Sequence, residues 1–235
     1  MKSIFHIVST RVLNDDQLQL IKSNGLEVTH VDFIKKNIRI PDDVQKLSFD
    51  QNIVLTSKTA VIAWLAIIQQ LKLYIGKYRI YCLASGTQSL TSQYGLHVAC
   101  VAPDASSLAD AILEDTAIRS VTFICGNLRR PELPDKLRGN GIRVQEIEAY
   151  QTELTPVKVA KPYHSVLFFS PSAIDSFISC NNINSSICFC LGKTTASHAK
   201  QKGFTEVHVA DSASVESLLK TVSNYYLKYT AHAEK

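Results

Sequence analysis

The chain has 235 residues, of which 46% are hydrophobic, and it can therefore form the core of one large α/β domain or of two small ones. The net charge is only +4, without a stripe of Lys and Arg interleaved with aromatic residues, which argues against nucleic-acid binding. The N-terminal apolar run is short and is interrupted by His6, so neither a signal peptide nor a membrane span is predicted, and a cytoplasmic protein is expected.

The cysteines and histidines do not have the spacing of metal ligands. The six cysteines include no CxxC pair, and most lie in apolar runs, which predicts buried, reduced thiols. Cys188 and Cys190 are two positions apart, so on a strand they would point to the same face. The seven histidines are interpreted as surface or strand-edge residues, and Trp64 as part of a helix core. Nucleotide, phosphoryl and metal chemistry lack their usual sequence markers.

Short apolar runs alternate with helical patterns along the chain, which is typical of βα units in a mostly parallel sheet. Four glycines are expected to end helices just before the chain returns to the sheet: Gly25, Gly95, Gly141 and Gly203. Polar stretches around residues 35–50 and 151–164 are predicted linkers. The predicted strands are residues 4–9, 26–33, 52–57, 79–84, 97–102, 120–126, 142–150, 165–170, 186–191 and 206–210.

Part of the sequence is repeated. A shift of 108 positions aligns residues 82–106 with residues 190–214 without a gap, and ten of the 25 aligned positions are identical. A looser similarity relates LTSKTAV (55–61) to FSPSAI (169–174), and Gly25 and Val28 correspond to Gly141 and Val144. The repeat predicts two similar α/β domains, each built from two quarters of the chain. It does not decide whether the first quarter packs with the second or with the fourth.

Small hydroxyl and amide residues lie where the predicted strands end and helices begin. At each position the simplest interpretation is a helix N-cap. Their number also predicts a ligand site, because ligands of parallel sheets bind beyond the carboxyl ends of strands, where helix N-termini favour anions. Such a site suits a ligand with many carboxylates. The segments are Thr56-Ser57, Gly86-Thr87, Gly126-Asn127, Ser170-Pro171-Ser172 and Thr194-Thr195.

Four segments carry a resemblance to a known protein family. They are LTSKTAV (55–61), CGNLRRPELPDKLRGNGIRVQEIEAYQT (125–152), FFSPSAIDSF (168–177) and LGKTTASHAKQKGF (191–204). In order and spacing they resemble the dispersed motifs of the uroporphyrinogen-III synthases, and the resemblance runs from about residue 5 to residue 222. The combination of the four segments is more specific than any one of them.

The resemblance implies a fold and a reaction. The fold is α/β, with two similar parallel-sheet domains, flavodoxin-like or Rossmann-like, joined by a two-segment linker. The first domain is discontinuous, with residues 1–34 and 155–235 in one domain and residues 38–150 in the other. The implied enzyme uses no cofactor and no metal, and converts hydroxymethylbilane into uroporphyrinogen III with loss of water and inversion of ring D, in haem biosynthesis. A monomer that binds this small molecule is expected, without nucleic acid or membrane.

The resemblance also implies site residues. Tyr150 matches the family's tyrosine at a strand end, and its phenol is expected to hydrogen-bond the departing hydroxyl; the alternative is an amphipathic boundary residue. Arg11 matches an arginine after the first strand and would pair with a carboxylate, the alternative being a surface salt bridge. The other expected substrate-binding residues are Thr56, Ser57, Thr87, Gly126, Asn127, Ser170, Pro171, Ser172, Thr194 and Thr195.

Two positions depart from the family pattern. Ala84 stands where the family usually has glycine, and Gln88 replaces a small residue, which weakens the prediction for Thr87. One rival function is a catalytically inactive two-lobed α/β protein that binds a carboxylated or sugar-like ligand between its domains. Another is an inactive member of the same family that serves as an interaction module.

Overall fold

The chain divides into two compact units. The computed structural model describes residues 5–84, 86–183 and 186–233, so Ile4, the predicted start of the first strand, lies outside the described residues. Unit 1 comprises Met1–Lys35 and Glu153–Lys235, and unit 2 comprises Lys36–Thr152.

Unit 1 is built from both ends of the chain. Its strands form one five-stranded sheet, and all four strand pairs in that sheet are parallel. In chain order the elements are β1 (Phe5–Ser9), α1 (Asp15–Ser23), β2 (Leu26–His30), then β9 (Ser165–Phe168), α6 (Pro171–Ile178), β10 (Ile187–Cys190), α7 (Lys193–Gln201), β11 (Val207–Val209) and α8 (Val215–Ala233). The strand order is β11-β10-β9-β1-β2.

Unit 2 is continuous in sequence and contains a six-stranded sheet. The elements are β3 (Ile34–Ile38), β4 (Asn52–Leu55), α2 (Lys58–Leu71), β5 (Arg79–Leu83), α3 (Gly86–Gln93), β6 (Val98–Ala102), α4 (Ala105–Glu114), β7 (Ser120–Gly126), α5 (Glu132–Gly139) and β8 (Arg143–Leu154), with 3₁₀ turns at Val44–Lys46 and Ile75–Lys77. The strand order is β3-β8-β7-β4-β5-β6, and the four pairs from β8 to β6 are parallel. The chain enters unit 2 within β3 and leaves it within β8.

The two units have the same topology in circularly permuted order. Strands β9, β10, β11, β1 and β2 of unit 1 occupy the places of β4, β5, β6, β7 and β8 in unit 2. The shift of 108 positions found in the sequence places β5 on β10 and α3 on α7 within one residue. The first quarter of the chain therefore lies with the fourth, and the predicted fold class is confirmed.

Each sheet is covered by helices on both faces. Successive side chains of a strand point to opposite faces, so they belong to two different clusters. In unit 2, Ile53 and Leu55 of β4 face a cluster with α2, whereas Val54 between them faces a second cluster with α4 and α5. In unit 1, Val8 of β1 faces the α6 and α7 side and Ile7 faces the α1 and α8 side. None of these four clusters combines described residues of both units.

The four predicted helix-ending glycines all adopt the left-handed conformation. Their φ values are 72° for Gly25, 67° for Gly95, 81° for Gly141 and 99° for Gly203. Side chains with a Cβ are disfavoured at such φ values. Local sequence therefore determines where α1, α3, α5 and α7 end.

Strand β3 lies in a stretch that was predicted as a linker. Its sequence, IKKNI, contains two adjacent lysines, and both are exposed. Such a strand is possible at the edge of a sheet, where it pairs on one side only and where lysine discourages pairing with another chain. Strand β8 likewise continues into the second predicted linker, as far as Leu154.

The reduced cysteines and Trp64 lie largely where the sequence predicted. Cys82, Cys125, Cys188 and Cys190 are buried, and Cys100 and Cys180 are partly exposed. The Sγ atoms of Cys188 and Cys190 are 3.4 Å apart on one face of β10. Trp64 is fully buried in the α2 core.

The prediction for the histidines is wrong for His6, which is only 7% exposed. Its ring nitrogens contact the Pro162 carbonyl at 2.7 Å and the Thr29 hydroxyl at 2.9 Å. Hydrogen bonds with these groups compensate the imidazole for the loss of water on burial.

Candidate active site

In both units most of the predicted site residues follow the carboxyl ends of parallel strands; Gly126 is the last residue of β7, and Tyr150 pairs with it from within β8. In unit 2 the chain runs outward from the centre in opposite directions after β4 and after β7, which makes the gap between them a topological switch point. Open α/β sheets bind ligands at such points. The equivalent switch point of unit 1 lies between β9 and β1. We call the residues at this end of each sheet, at or beyond the carboxyl ends of its strands, the rim of the unit.

Twelve predicted residues belong to the two rims. The rim of unit 2 contains Thr56 and Ser57 after β4, Thr87 after β5, Gly126 and Asn127 at the end of β7, and Tyr150 on β8. The rim of unit 1 contains Arg11 after β1, Ser170, Pro171 and Ser172 after β9, and Thr194 and Thr195 after β10.

Tyr150 and Ser57 are brought together at the switch point of unit 2. The Tyr150 hydroxyl lies 3.1 Å from Ser57 Oγ, and either group can donate the hydrogen bond. Ser57 is also the N-cap of α2, because its Oγ accepts a hydrogen bond from the amide of Ala60 at 3.1 Å. The phenol is therefore anchored to the start of a helix, where the peptide dipoles favour a partial negative charge.

Burial raises the pKa of Tyr150 above its ordinary value, and the hydrogen bond with Ser57 opposes that rise. The phenol is consequently neutral at physiological pH and can donate a hydrogen bond. Burial raises the pKa of the neighbouring Cys125 thiol to about 12, which disfavours the thiolate form.

The side chain of Asn127 extends the sheet beyond the end of β7. Its Oδ1 accepts a hydrogen bond from the amide of Thr152 at 2.8 Å, and its Nδ2 donates to the Thr152 carbonyl at 3.3 Å. Both bonds fix the last residues of β8 beside the rim. Both polar groups of the Asn127 side chain are thus hydrogen-bonded to the backbone. The backbone N–H of Asn127 donates a further hydrogen bond to the Tyr150 carbonyl at 3.3 Å.

In the rim of unit 1, a serine again caps the helix at the switch point. Ser170 Oγ accepts a hydrogen bond from the amide of Ala173 at 3.3 Å and lies 3.0 Å from Ser172 Oγ. The Arg11 guanidinium lies over the Phe169 ring, 5.9 Å from its centroid, as in a cation–π contact. No carboxylate of the described residues forms a salt bridge with Arg11, in contrast to the surface salt bridge considered as its alternative.

The predicted helix-capping role is wrong for several rim residues. Helix α3 begins at Gly86, so Thr87 lies inside it and is only 6% exposed. The N-cap of α7 is Gly192, so Thr194 and Thr195 lie in its first turn, the former exposed and the latter buried. Asn127 caps no helix, because α5 begins five residues later. Among the twelve predicted site residues, only Ser57 and Ser170 cap a helix with their own hydroxyl groups.

Two helices of each unit that begin beyond strand ends lack acidic residues in their first turns: α2 and α3 in unit 2, and α6 and α7 in unit 1. The other helices that follow strands differ, because α1, α5 and α8 begin with Asp or Glu and α4 is capped by Asp104. Acidic first turns stabilise helices, so their absence at these four ends favours an external anion.

Lys58 is a rim residue that the sequence analysis did not single out. It is the first residue of α2, and its chain lies over Gly86, since a Cβ placed there would be 2.2 Å from Lys58 Cε and 2.8 Å from Nζ. None of the described carboxylates forms a salt bridge with it. Its position in LTSKTAV could have identified it from the sequence, because a lysine at a helix start is unfavourable unless an anion lies nearby.

The described residues contain no cluster of three or more potential metal-ligating side chains. Nor does any helix within residues 5–84, 86–183 and 186–233 combine the length and hydrophobicity needed to cross a membrane.

The fold and the rims define a class of protein: a doubly wound α/β protein with two similar units, each with hydroxyl groups and helix N-termini at its switch point. Comparison with known proteins identifies the family. The family model for uroporphyrinogen-III synthase HemD matches residues 15–220. The chain belongs to the uroporphyrinogen-III synthase family, whose members are the cyclising enzymes of haem biosynthesis.

Solved structures share the fold. The crystal structure of uroporphyrinogen-III synthetase from Helicobacter pylori matches with a TM-score of 0.67 and 17% identity, covering 94% of this chain and all of the other. A mutant uroporphyrinogen III synthase from the extremely thermophilic bacterium Thermus thermophilus matches with a TM-score of 0.71 and 13% identity, over 95% and 99% of the two chains. The wild-type Thermus enzyme matches with a TM-score of 0.56 and 13% identity, over 96% and 99%. None of the curated protein sequences compared with the chain matches it.

Proposed function

We propose that this enzyme binds hydroxymethylbilane through rim residues and that Tyr150 assists the loss of its hydroxyl group. The substrate is a flexible chain of four pyrroles with acetate and propionate arms. Family membership favours this cyclisation over a binding protein without chemistry. The observation that carries the proposal is the contact between Tyr150 and Ser57 at a topological switch point.

The rims suit the carboxylates of this substrate. Arg11 in unit 1 and Lys58 in unit 2 have no carboxylate partner among the described residues, and four of the helices that begin beyond strand ends have acid-free first turns. Hydroxyl groups that are accessible or partly so, from Thr56, Ser170, Ser172 and Thr194, can add hydrogen bonds. Binding spread over many weak donors is expected to tolerate the loss of any one hydroxyl.

Tyr150 is proposed to donate a hydrogen bond to the departing hydroxyl. Because burial raises the pKa of Tyr150, the phenol keeps its own proton and acts by polarising the C–O bond. The bond breaks, and the pyrrole nitrogen stabilises the carbon left behind as an azafulvene cation. The hydroxyl takes up one proton and leaves as water.

Ring closure then requires positioning more than further chemistry. The substituted carbon of ring D attacks the cation to give a spiro intermediate, which fragments and closes again at the free position. The ring D carbon loses its hydrogen as a proton on this final closure, which balances the proton taken up by the leaving hydroxyl. Holding ring D in the spiro-forming geometry is an orientation effect worth several kcal/mol. Contacts made only in that geometry disfavour direct closure to the uninverted isomer.

The product isomer tests the proposed reaction. The purified chain should be incubated with enzymatically generated hydroxymethylbilane, and the uroporphyrinogen isomers I and III should be separated. We expect isomer III in excess. Isomer I alone, at the rate of a reaction without enzyme, would favour either a binding protein or an inactive family member.

Replacing Tyr150 with Phe tests the proposed residue. Loss of one hydrogen bond to a developing charge should reduce kcat on the order of tenfold or more, with a smaller effect on KM. Steady-state kinetics of isomer III formation measure both parameters. Unchanged kcat would remove Tyr150 from the mechanism while leaving the family assignment intact.

The assembly and location are further parts of the proposal. We propose a cytoplasmic monomer that needs no cofactor. Its support is that the exposed large apolar residues of the described chain, such as Val12, Tyr74 and Leu227, are distributed over several elements of both units. Light scattering should give the mass of one chain.

A further inference from the structure

The end of strand β7 is shaped around the ring of Tyr150. A Cβ added to Gly126 would lie 2.3 Å from Tyr150 Cε2, 2.7 Å from Cδ2 and 2.8 Å from Cζ. Real Cβ atoms do not approach other heavy atoms so closely. An aromatic ring is rigid, so any side chain at Gly126 would displace the whole ring rather than its outer end.

The backbone of Gly126 does not itself require glycine. The described glycines with positive φ are Gly25, Gly95, Gly141 and Gly203, and Gly126 is not among them. Alanine would therefore be accepted by the local backbone. The contact with Tyr150 is the reason for a residue without a side chain at this position.

An irregularity in strand pairing places Tyr150 opposite Gly126. Cys125 pairs with Glu148, but Gly126 pairs with Tyr150, so Ala149 is an extra residue in β8. Bulges of this kind reorient side chains next to active sites. The phenol hydroxyl contacts Ser57, which is fixed as the cap of α2. The ring carbons thus lie against Gly126, while the hydroxyl group is held by Ser57.

We infer that Gly126 is a positioning residue, whose missing side chain sets the place of the Tyr150 phenol on which turnover depends. This inference rests on the proposed role of Tyr150. It gives Gly126 a different task from the direct substrate contact expected from the sequence, because Gly126 is buried and the Tyr150 ring fills the space that a side chain at Gly126 would take.

The test combines kinetics with a direct view of the ring. Gly126→Ala, Tyr150→Phe and the double variant should be compared with Gly139→Ala, whose Cβ would meet no atom within 4 Å. The nine tyrosines can be labelled as 3-fluorotyrosine, and the ¹⁹F resonance of Tyr150 can be assigned as the one missing in Tyr150→Phe. In Gly126→Ala we expect this resonance to shift and kcat to fall on the order of 100-fold, as for a misplacement of about 1 Å.

The double variant separates positioning from an independent effect. If Gly126 acts through the phenol, adding Gly126→Ala to Tyr150→Phe should lower kcat much less than it does in the wild type. A shifted resonance with unchanged kcat, an unshifted resonance, or fully additive losses would each overturn the inference. Failure of the proposed role of Tyr150 is recognised separately, since Tyr150→Phe would then keep its full kcat.

A folding defect can also be interpreted. If Gly126→Ala does not fold, Gly126→Ala combined with Tyr150→Ala should restore a cooperative urea transition, because the clashing ring is gone. Restored folding supports the contact between Gly126 and the ring. Failure to restore it would overturn the inference.

Discussion

Ser57 makes two different contacts through one hydroxyl group. Its oxygen accepts from the Ala60 amide to start α2 and also lies within hydrogen-bonding distance of the Tyr150 phenol. The sequence predicted Ser57 as a cap and Tyr150 as a strand-end residue, but not their contact. That contact depends on the extra residue Ala149 in β8, and a hydrophobic pattern does not reveal a bulge whose residues are small or amphipathic.

Replacing Ser57 with Ala should therefore have two measurable effects. The free energy of unfolding should fall by about 1 kcal/mol, the usual cost of an N-cap. The pKa of Tyr150 should rise further, because the hydrogen bond with Ser57 lowers it against the effect of burial. Urea denaturation measures the first effect, and ultraviolet titration of the phenol, with Tyr150→Phe subtracted, measures the second.

Ser170→Ala is the matched control for Ser57→Ala. Ser170 caps α6 in the same way but hydrogen-bonds Ser172 rather than a tyrosine. A similar loss of stability is expected, without any change in the pKa of Tyr150. If Ser57→Ala left that pKa unchanged as well, the hydrogen bond between Ser57 and Tyr150 would not form in solution.

At the level of helices and strands, the sequence predicted those features that depend on residues close together in the chain. Helix ends could be predicted because glycine is favoured at positive φ, and buried strands because their apolar runs are continuous. Strand β3 could not be predicted, because a sequence with two adjacent lysines is typical of a loop as well as of an exposed edge strand. The starts of α3 and α7 were misplaced because Thr87 and Thr195, although capping residue types, lie one or more positions inside their helices.

Two glycines near the end of α5 should respond in opposite ways to alanine. Gly141 has a φ of 81°, so Gly141→Ala should lower the free energy of unfolding by about 1 kcal/mol or more. Gly139 lies in the helix with no atom within 4 Å of an added Cβ, so Gly139→Ala should raise it by roughly 0.5–1 kcal/mol. Urea denaturation of both variants provides the comparison. A loss in Gly139→Ala equal to that in Gly141→Ala would show that conformation is not the cause.

At the scale of the whole molecule, one topology is used twice with a different starting point. The sequence showed this only in part, because the 25-residue match covers one strand–helix–strand segment of each unit. The segments around α1 and α5 also correspond, but they share few identical residues. A repeat also does not show which quarters of the chain share a core. The hydrophobic clusters supply that information: Ile7 of β1 packs with Leu167 of β9, far away in sequence.

The separate clusters lead us to propose that unit 2 is an independently folding domain. Residues 34–154 contain all of β3 to β8 and every residue of the two clusters that cover the unit 2 sheet. This fragment, expressed alone, should show the circular dichroism of helices and strands and a single cooperative urea transition.

A fragment of residues 34–142 is the control, because it lacks β8 and therefore loses Val144 from one cluster and Ile147 from the other. It should unfold without cooperativity, since both faces of the sheet lose core residues and β7 becomes an exposed edge. A longer fragment that remained unfolded would show that unit 2 depends on contacts with the rest of the chain.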